Sequence, residues 1–204
     1  MRIFAPTKQR EEKAKRWTVG CLTSPVGWEG PSCETEAFPE SKKQMKTLNN
    51  GVRLTPHFTL EEMTRTDVEL GYVDNLRQTQ PDEQVMENLT RVCQWLEMLR
   101  QRWNEQYGEG NDPVIINSAF RCKELNRLVG GCSTSNHLTG CAADLRVMGK
   151  EQLLRYVVLL LDISDEMHQD FDELLMERNT RGYWLHFAVR PKNNRRKISL
   201  LNVI

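Results

Sequence analysis

Two of the four histidines in this chain stand where a metal ion would be held. His137 and Asp144 lie seven residues apart in the segment Ser135-Asn136-His137-Leu138-Thr139-Gly140-Cys141-Ala142-Ala143-Asp144. An imidazole nitrogen and a carboxylate oxygen both suit a borderline divalent cation. Gly140, between them, permits a turn tight enough to bring both side chains to one point. His186, in the run Trp184-Leu185-His186, adds a second imidazole. Two His and one Asp leave the fourth position of a tetrahedral zinc ion open for water, as a catalytic site requires. Zinc so held lowers the pKa of its water to about 7 and polarises a carbonyl oxygen. A His–Asp pair is also the pattern of an ordinary hydrogen bond, so spacing by itself leaves both readings open. Cys132 and Cys141 flank His137 and offer thiolates, but thiolate-rich sets are typical of closed structural sites.

The elements that must position these residues are readable from periodicity. Thr59-Leu60-Glu61-Glu62 is a capping box and opens a short helix through about Thr64. Thr79-Gln80-Pro81-Asp82 opens a longer helix, with Thr79 as cap, Pro near the first turn and an acid at the positive dipole end. Its stripe Val85, Leu89, Val92, Leu96, Leu99 and Trp103 faces a core. The runs over residues 113–117 and 142–147 read as strands, 121–129 as a helix closed by Gly130-Gly131, and 150–161 as an apolar helix. Residues 171–177 and 183–189 read as a β-hairpin around Arg178 to Gly182. No βαβ regularity runs through this order. The expected class is α+β, with a small, largely antiparallel sheet flanked by helices.

Bulk properties narrow the function. Lys+Arg and Asp+Glu both number 28, so the formal net charge is zero and nothing draws the chain to nucleic acid or an anionic membrane. With 39% hydrophobic and 27% charged residues it suits a globular protein with a real core. No membrane span and no standard secretory signal are evident, so the expectation is a cytoplasmic protein with reduced thiols. Residues 1–50 read as a poorly ordered extension, with a dense mixed-charge run and then a loop-like stretch. His57 and His168 read as surface residues, and the basic stretch from Lys192 to Lys197 as a solvated tail.

Asn117-Ser118-Ala119-Phe120-Arg121, then Leu125-Asn126, Val129-Gly130-Gly131, Ser135 to Asp144, and Trp184-Leu185-His186 follow one another in a single order. This resembles the zinc D-Ala-D-Ala carboxypeptidase and L-alanyl-D-glutamate endopeptidase family, which shares the hedgehog/D-peptidase fold. The His57-to-Glu62 segment is similar to the start of its short phage-type forms. The resemblance marks residues 51–204 as a zinc D-peptidase-like domain. It implies one Zn2+ ion held by His137, Asp144 and His186. It implies Arg121 at the active site, stabilising negative charge on the attacked carbonyl, and Ser135 as a contact to the substrate. A guanidinium suits that role as a permanent cation with paired donors. The implied partner is a peptidoglycan stem peptide.

One position departs from the family. Many members carry an acid three residues before the last histidine as general base, and here that residue is Tyr183, a phenol with a pKa near 10. A substitute must come from the hairpin. If Leu175 pairs with His186, Glu177 faces Trp184 on the side of the metal ligand; a slip of one residue turns Glu177 away and brings Asp172 or Met176 there. Glu177 is the expected base. The alternatives are a binding module that keeps zinc and the wall-peptide pocket without turnover, and a phage-derived, endolysin-like lytic part. Neither the bond cut nor the oligomeric state is legible in the sequence.

Overall fold

Alternation along the strands divides one sheet into two unlike faces. The structure, a computed structural model, describes residues 51–66 and 81–203. Its elements are α1 (Leu60–Thr64), α2 (Glu83–Gln106), β1 (Ile116–Ser118), α3 (Lys123–Leu128), a 3-10 turn (Asn136–Thr139), β2 (Ala142–Arg146), α4 (Lys150–Met167), β3 (Glu173–Asn179), β4 (Gly182–Ala188) and β5 (Lys197–Asn202). The strands lie in the order β1-β2-β4-β3-β5. All neighbours are antiparallel except β3 and β5, which run parallel. The fold is therefore the expected α+β type with a largely antiparallel sheet.

Ala143 and Leu145 of β2, Leu185 and Phe187 of β4, and Leu174 of β3 point to the back of the sheet and are fully buried. The α2 stripe Leu89, Val92, Leu96 and Leu99 covers that face, together with Leu153, Tyr156, Leu160 and Ile163 of α4. Trp95 of α2 packs on Phe187 with ring centroids 5.4 Å apart, and Trp103 meets Tyr156 edge-on at 5.1 Å. At roughly 1.5–3 kcal/mol for each fully buried large apolar side chain, this face dominates the stabilisation. The tryptophans of α2 belong to that packing. The opposite face carries Asp144, His186, Trp184, Glu173 and Glu177.

Local chemistry sets the ends of the helices. The capping box of α1 forms as expected, with Thr59 and Glu62 bonding reciprocally. In α2 the cap is Asp82, whose Oδ1 accepts from the Val85 amide at 2.8 Å. Thr79 lies outside the described residues, as do residues 1–50. An acid at the cap gains from the helix dipole as well as from the hydrogen bond, and Asp82 stands directly before the apolar stripe. The hairpin turns through Thr180-Arg181, between Asn179 and Gly182.

One detail corrects the reading made from sequence, and two others add to it. The basic stretch does not trail into solvent: Lys197 begins β5, and Lys197 N donates to Asp172 O at 3.0 Å. His57 is exposed, as expected, and its ring Nδ1 and its backbone amide both meet the Glu97 carboxylate of α2, each at 2.7 Å. His168, with φ of 52°, is the left-handed cap of α4. As expected, Cys93, Cys132 and Cys141 are thiols. No helix among the described residues is long and apolar enough to cross a membrane.

Candidate metal centre

Three separate elements carry His137, Asp144 and His186 to one point. His137 sits in the 3-10 turn, where Ser135 Oγ caps the His137 amide at 3.3 Å. Gly140 closes the turn at φ of 70°. From α2, Asn88 Nδ2 donates to Thr139 O at 2.8 Å and pins the turn to the core. Asp144 and His186 are direct cross-strand partners of β2 and β4, so sheet register alone sets them side by side. All three are buried.

The donor atoms form a small triangle. His137 Nε2 lies 3.3 Å from His186 Nδ1 and 3.3 Å from Asp144 Oδ1, and His186 Nδ1 lies 2.8 Å from Asp144 Oδ1. The orientation of His137 is fixed from behind: its Nδ1 is 2.6 Å from the Ala119 carbonyl, which only accepts, so Nδ1 carries a proton and Nε2 presents a lone pair. A neutral imidazole lone pair and a carboxylate oxygen thus face each other, an arrangement that calls for a positive centre between them. Ligand bonds of about 2.0–2.1 Å around a tetrahedral zinc ion place neighbouring donors about 3.3–3.4 Å apart. Two sides of the triangle have that length, and the third, at 2.8 Å, is the length of a hydrogen bond. The donor set, two imidazoles and one carboxylate, matches a three-ligand zinc site. It is the one metal-binding group found among the described residues.

Electrostatics agree with the geometry. Burial is the largest influence on His137 and pushes its pKa down against the pull of Asp144, so the ring is neutral. Burial also opposes ionisation of Asp144, but contacts with His137 and His186 outweigh it and hold the carboxyl well below its usual range. For His186 burial is again outweighed, by Asp144 and Glu173, and the pKa is pushed up to about 9. Without a divalent cation the triangle therefore keeps one proton on His186. Binding a metal there displaces it.

Around the triangle, Arg121 lies beside Asp144, with Nη2 on Oδ2 and Nε donating to Ser118 Oγ at 2.8 Å. This leaves Oδ1 as the atom directed at the histidines. The Arg121 amide also donates to the His137 carbonyl at 3.1 Å, so one residue braces two of the three donors. Glu177 is half-buried and pairs with Trp184, in the register where Leu175 opposes His186. Burial raises its pKa and the charge of Asp144 raises it further, while the neighbouring His186 and Trp184 pull it down. Tyr183 pairs with Arg178 and packs against the core on the other face of the sheet, so its phenol is turned away from the donors. Cys132 and Cys141 do not join the triangle: one is exposed, and the other is buried with Sγ 3.8 Å from Thr139 O.

Several neighbours of the donors escaped the sequence reading, and Asp172, weighed there only as an alternative base, has another place. The Ala119 carbonyl and Ser118 hydroxyl are second-layer supports whose residue types carry no signal. Glu173 Oε2 stands 3.6 Å from His186 Nε2. Asn136 Nδ2 donates to Asp172 at 2.8 Å and to Glu173 at 3.0 Å. Asp172 is fully buried and takes two hydrogen bonds from the Arg195 guanidinium, at 2.8 and 2.7 Å, and an ion pair from Arg190 at 2.7 Å. The adjacent acids Asp172 and Glu173 followed by basic residues near 190–197 were a possible signal, since buried carboxylates need partners.

Comparison with curated proteins returns no match. The profile of the family described as Peptidase M15 matches residues 56–164, just over half of the chain. The matched span contains Arg121, Ser135, His137 and Asp144 and ends before the hairpin that carries Glu177 and His186. Members of this family depend on zinc. On the extent of that match, and on a motif run ending in a buried His–Asp–His triangle, the chain belongs to the peptidase M15 family, of the zinc D-Ala-D-Ala carboxypeptidase-like kind.

Proposed function

We propose that this protein is a zinc-dependent peptidase acting on stem peptides of bacterial peptidoglycan, with one zinc ion held by His137, Asp144 and His186. The observation that carries the reading is the convergence of two imidazole nitrogens and a carboxylate oxygen beside a half-buried glutamate on the same face of the sheet. When bound, zinc supplies Lewis acidity to the scissile carbonyl and lowers the pKa of a water molecule.

The remaining work falls to the side chains. Glu177 takes the proton of the attacking water and passes it to the leaving amine. Its raised pKa brings it nearer to neutrality, where a carboxylate serves both steps. Arg121 orients Asp144 and adds a permanent positive charge beside the developing oxyanion. Ser135, half-buried at the mouth of the 3-10 turn, offers its hydroxyl to the substrate. The bond cut is either the terminal D-Ala bond or the one between L-Ala and D-Glu.

Mass spectrometry of defined wall peptides after incubation with zinc-loaded protein tests this. His137→Ala should lose both metal and cleavage. Glu177→Gln should keep its metal and lose turnover by about 10²–10⁴-fold, the usual contribution of a general base. Cleavage at wild-type rate by Glu177→Gln removes Glu177 from the mechanism. Cleavage by the His137 variant removes the metal. Wild-type protein that holds the peptide tightly but never cuts it is instead a binding module.

A further inference from the structure

We propose that Glu173 is a positioning residue that fixes His186 for metal binding by accepting the proton of its outer nitrogen. This rests on the metal-site reading above and adds a residue to it. The atom of His186 that faces the other donors is Nδ1, 2.8 Å from Asp144 and 3.3 Å from His137. An imidazole that gives its Nδ1 lone pair to a cation must carry its proton on Nε2. Nε2 faces Glu173 Oε2 at 3.6 Å, ion-pair contact slightly longer than a hydrogen bond. A dication on Nδ1 makes the Nε2–H a stronger donor, which draws this contact in. A carboxylate on the outer nitrogen of a metal-binding histidine sets the ring plane and the tautomer and raises the basicity of the ligating atom.

The structure holds Glu173 for that task from two sides. Asn136 Nδ2 donates to Oε2, the oxygen nearest His186, at 3.0 Å. Arg195 Nη2 at 3.0 Å and Lys197 Nζ at 3.2 Å engage Oε1, the oxygen turned away. Across the sheet Glu173 pairs with Ala188, whose methyl group leaves space for the longer side chain to lean toward His186, two residues along β4. Asn136 also connects the two histidines: it precedes His137 in the chain, and through Glu173 it reaches His186. The same geometry excludes Glu173 as the general base, because the imidazole of His186 lies between its carboxylate and the donor triangle.

The test reads metal affinity, not turnover. Zinc dissociation constants are measured by competition with a chromogenic chelator for wild type, Glu173→Gln, Glu173→Ala and Lys197→Met, with visible absorption of the cobalt-substituted proteins as a second readout. Glu173→Gln keeps the shape and weakens the acceptor. Both Glu173 variants should bind zinc about 10–100-fold more weakly, with Ala at least as affected as Gln, and their cobalt bands should shift. Lys197→Met removes a half-exposed ion pair without touching His186 and should change affinity by no more than about fivefold. Wild-type affinity and spectrum in both Glu173 variants overturn the proposal and leave the metal site standing. A loss in Lys197→Met equal to that in Glu173→Ala also overturns it, since the effect would then come from the cluster's packing. Wild-type protein that takes up no zinc defeats the metal-site reading itself, and this proposal with it.

Discussion

Replacing Gly140 by Ala should damage the protein much more than the same change at Gly130, and the difference can be worked out beforehand. Both glycines hold nearly the same left-handed conformation, with φ of 70° and 74°. Adding a Cβ in that region costs about 1–2 kcal/mol at either site. At Gly130 the new methyl group meets nothing within 4 Å. At Gly140 it lands 2.9 Å from the Val85 carbonyl oxygen, 3.0 Å from Val85 Cγ1 and 3.1 Å from Leu89 Cγ. The nearest of these is backbone in the first turn of α2, which cannot swing aside as a side chain tip can, and the other two are side-chain carbons close to that backbone. Overpacking of this kind adds about 1–3 kcal/mol. The expected total for Gly140→Ala is about 2–5 kcal/mol, against about 1–2 for Gly130→Ala. At about 2–4 °C per kcal/mol for a domain of this size, the two melting temperatures should differ by about 4–8 °C at the centre of the range. Differential scanning calorimetry of the two metal-free variants measures that gap directly. Equal melting temperatures would refute the argument that the turn between His137 and Asp144 is pressed against α2. Because the turn also carries a metal donor, Gly140→Ala should bind zinc more weakly than Gly130→Ala.

Other consequences can be checked independently. Burial opposes ionisation of Glu97, but the Thr55 hydroxyl and the His57 amide and ring outweigh it and hold its pKa below the usual value. A depressed carboxyl contributes stability above its unfolded pKa and loses it as pH falls, so the melting deficit of Glu97→Gln at pH 7 should shrink steadily below about pH 4.5. A pH-independent deficit would mean that packing, not charge, holds the segment around His57. Arg121→Met leaves one oxygen of a buried carboxylate without its partner and should lower stability by about 1–3 kcal/mol, read from urea midpoints; an unmoved midpoint contradicts the bracing role. Cys132 is exposed, with its thiol pKa drawn down by Thr134, whereas burial pushes that of Cys93 far up. Native-state alkylation followed by peptide mapping should label Cys132 well before Cys93, and similar rates would show that α2 opens readily.

What the sequence disclosed and what it withheld follow from the distance over which each feature acts. The β-like runs on either side of Arg178 to Gly182 announce a hairpin, but the loop is two residues, Thr180-Arg181, where five were expected, so the partner of His186 was one of two alternatives. The strands were therefore open to reasoning along a short stretch of chain, while the placement of Glu177 depended on a register that only the structure supplies. His137 was legible only because its neighbours Ser135, Gly140 and Asp144 form a run with a known precedent. The supports were hidden. The Asp172–Arg195 pair spans 23 residues and the His57–Glu97 contact spans 40. Strand β5 pairs in parallel with β3, a contact that no turn announces. The Lys192–Lys197 stretch looked like a solvated face because charge in sequence does not reveal whether a buried carboxylate awaits it.

Asp144 and His186 occupy the same rung of the β2–β4 ladder. A shift of that ladder by one residue would send one of them into the apolar back layer, so no misaligned sheet can present the pair. On the proposed metal reading, ion uptake during refolding would select for alignment. A divalent cation added early should deplete shifted intermediates by mass action, since only the correctly threaded chain offers it a seat.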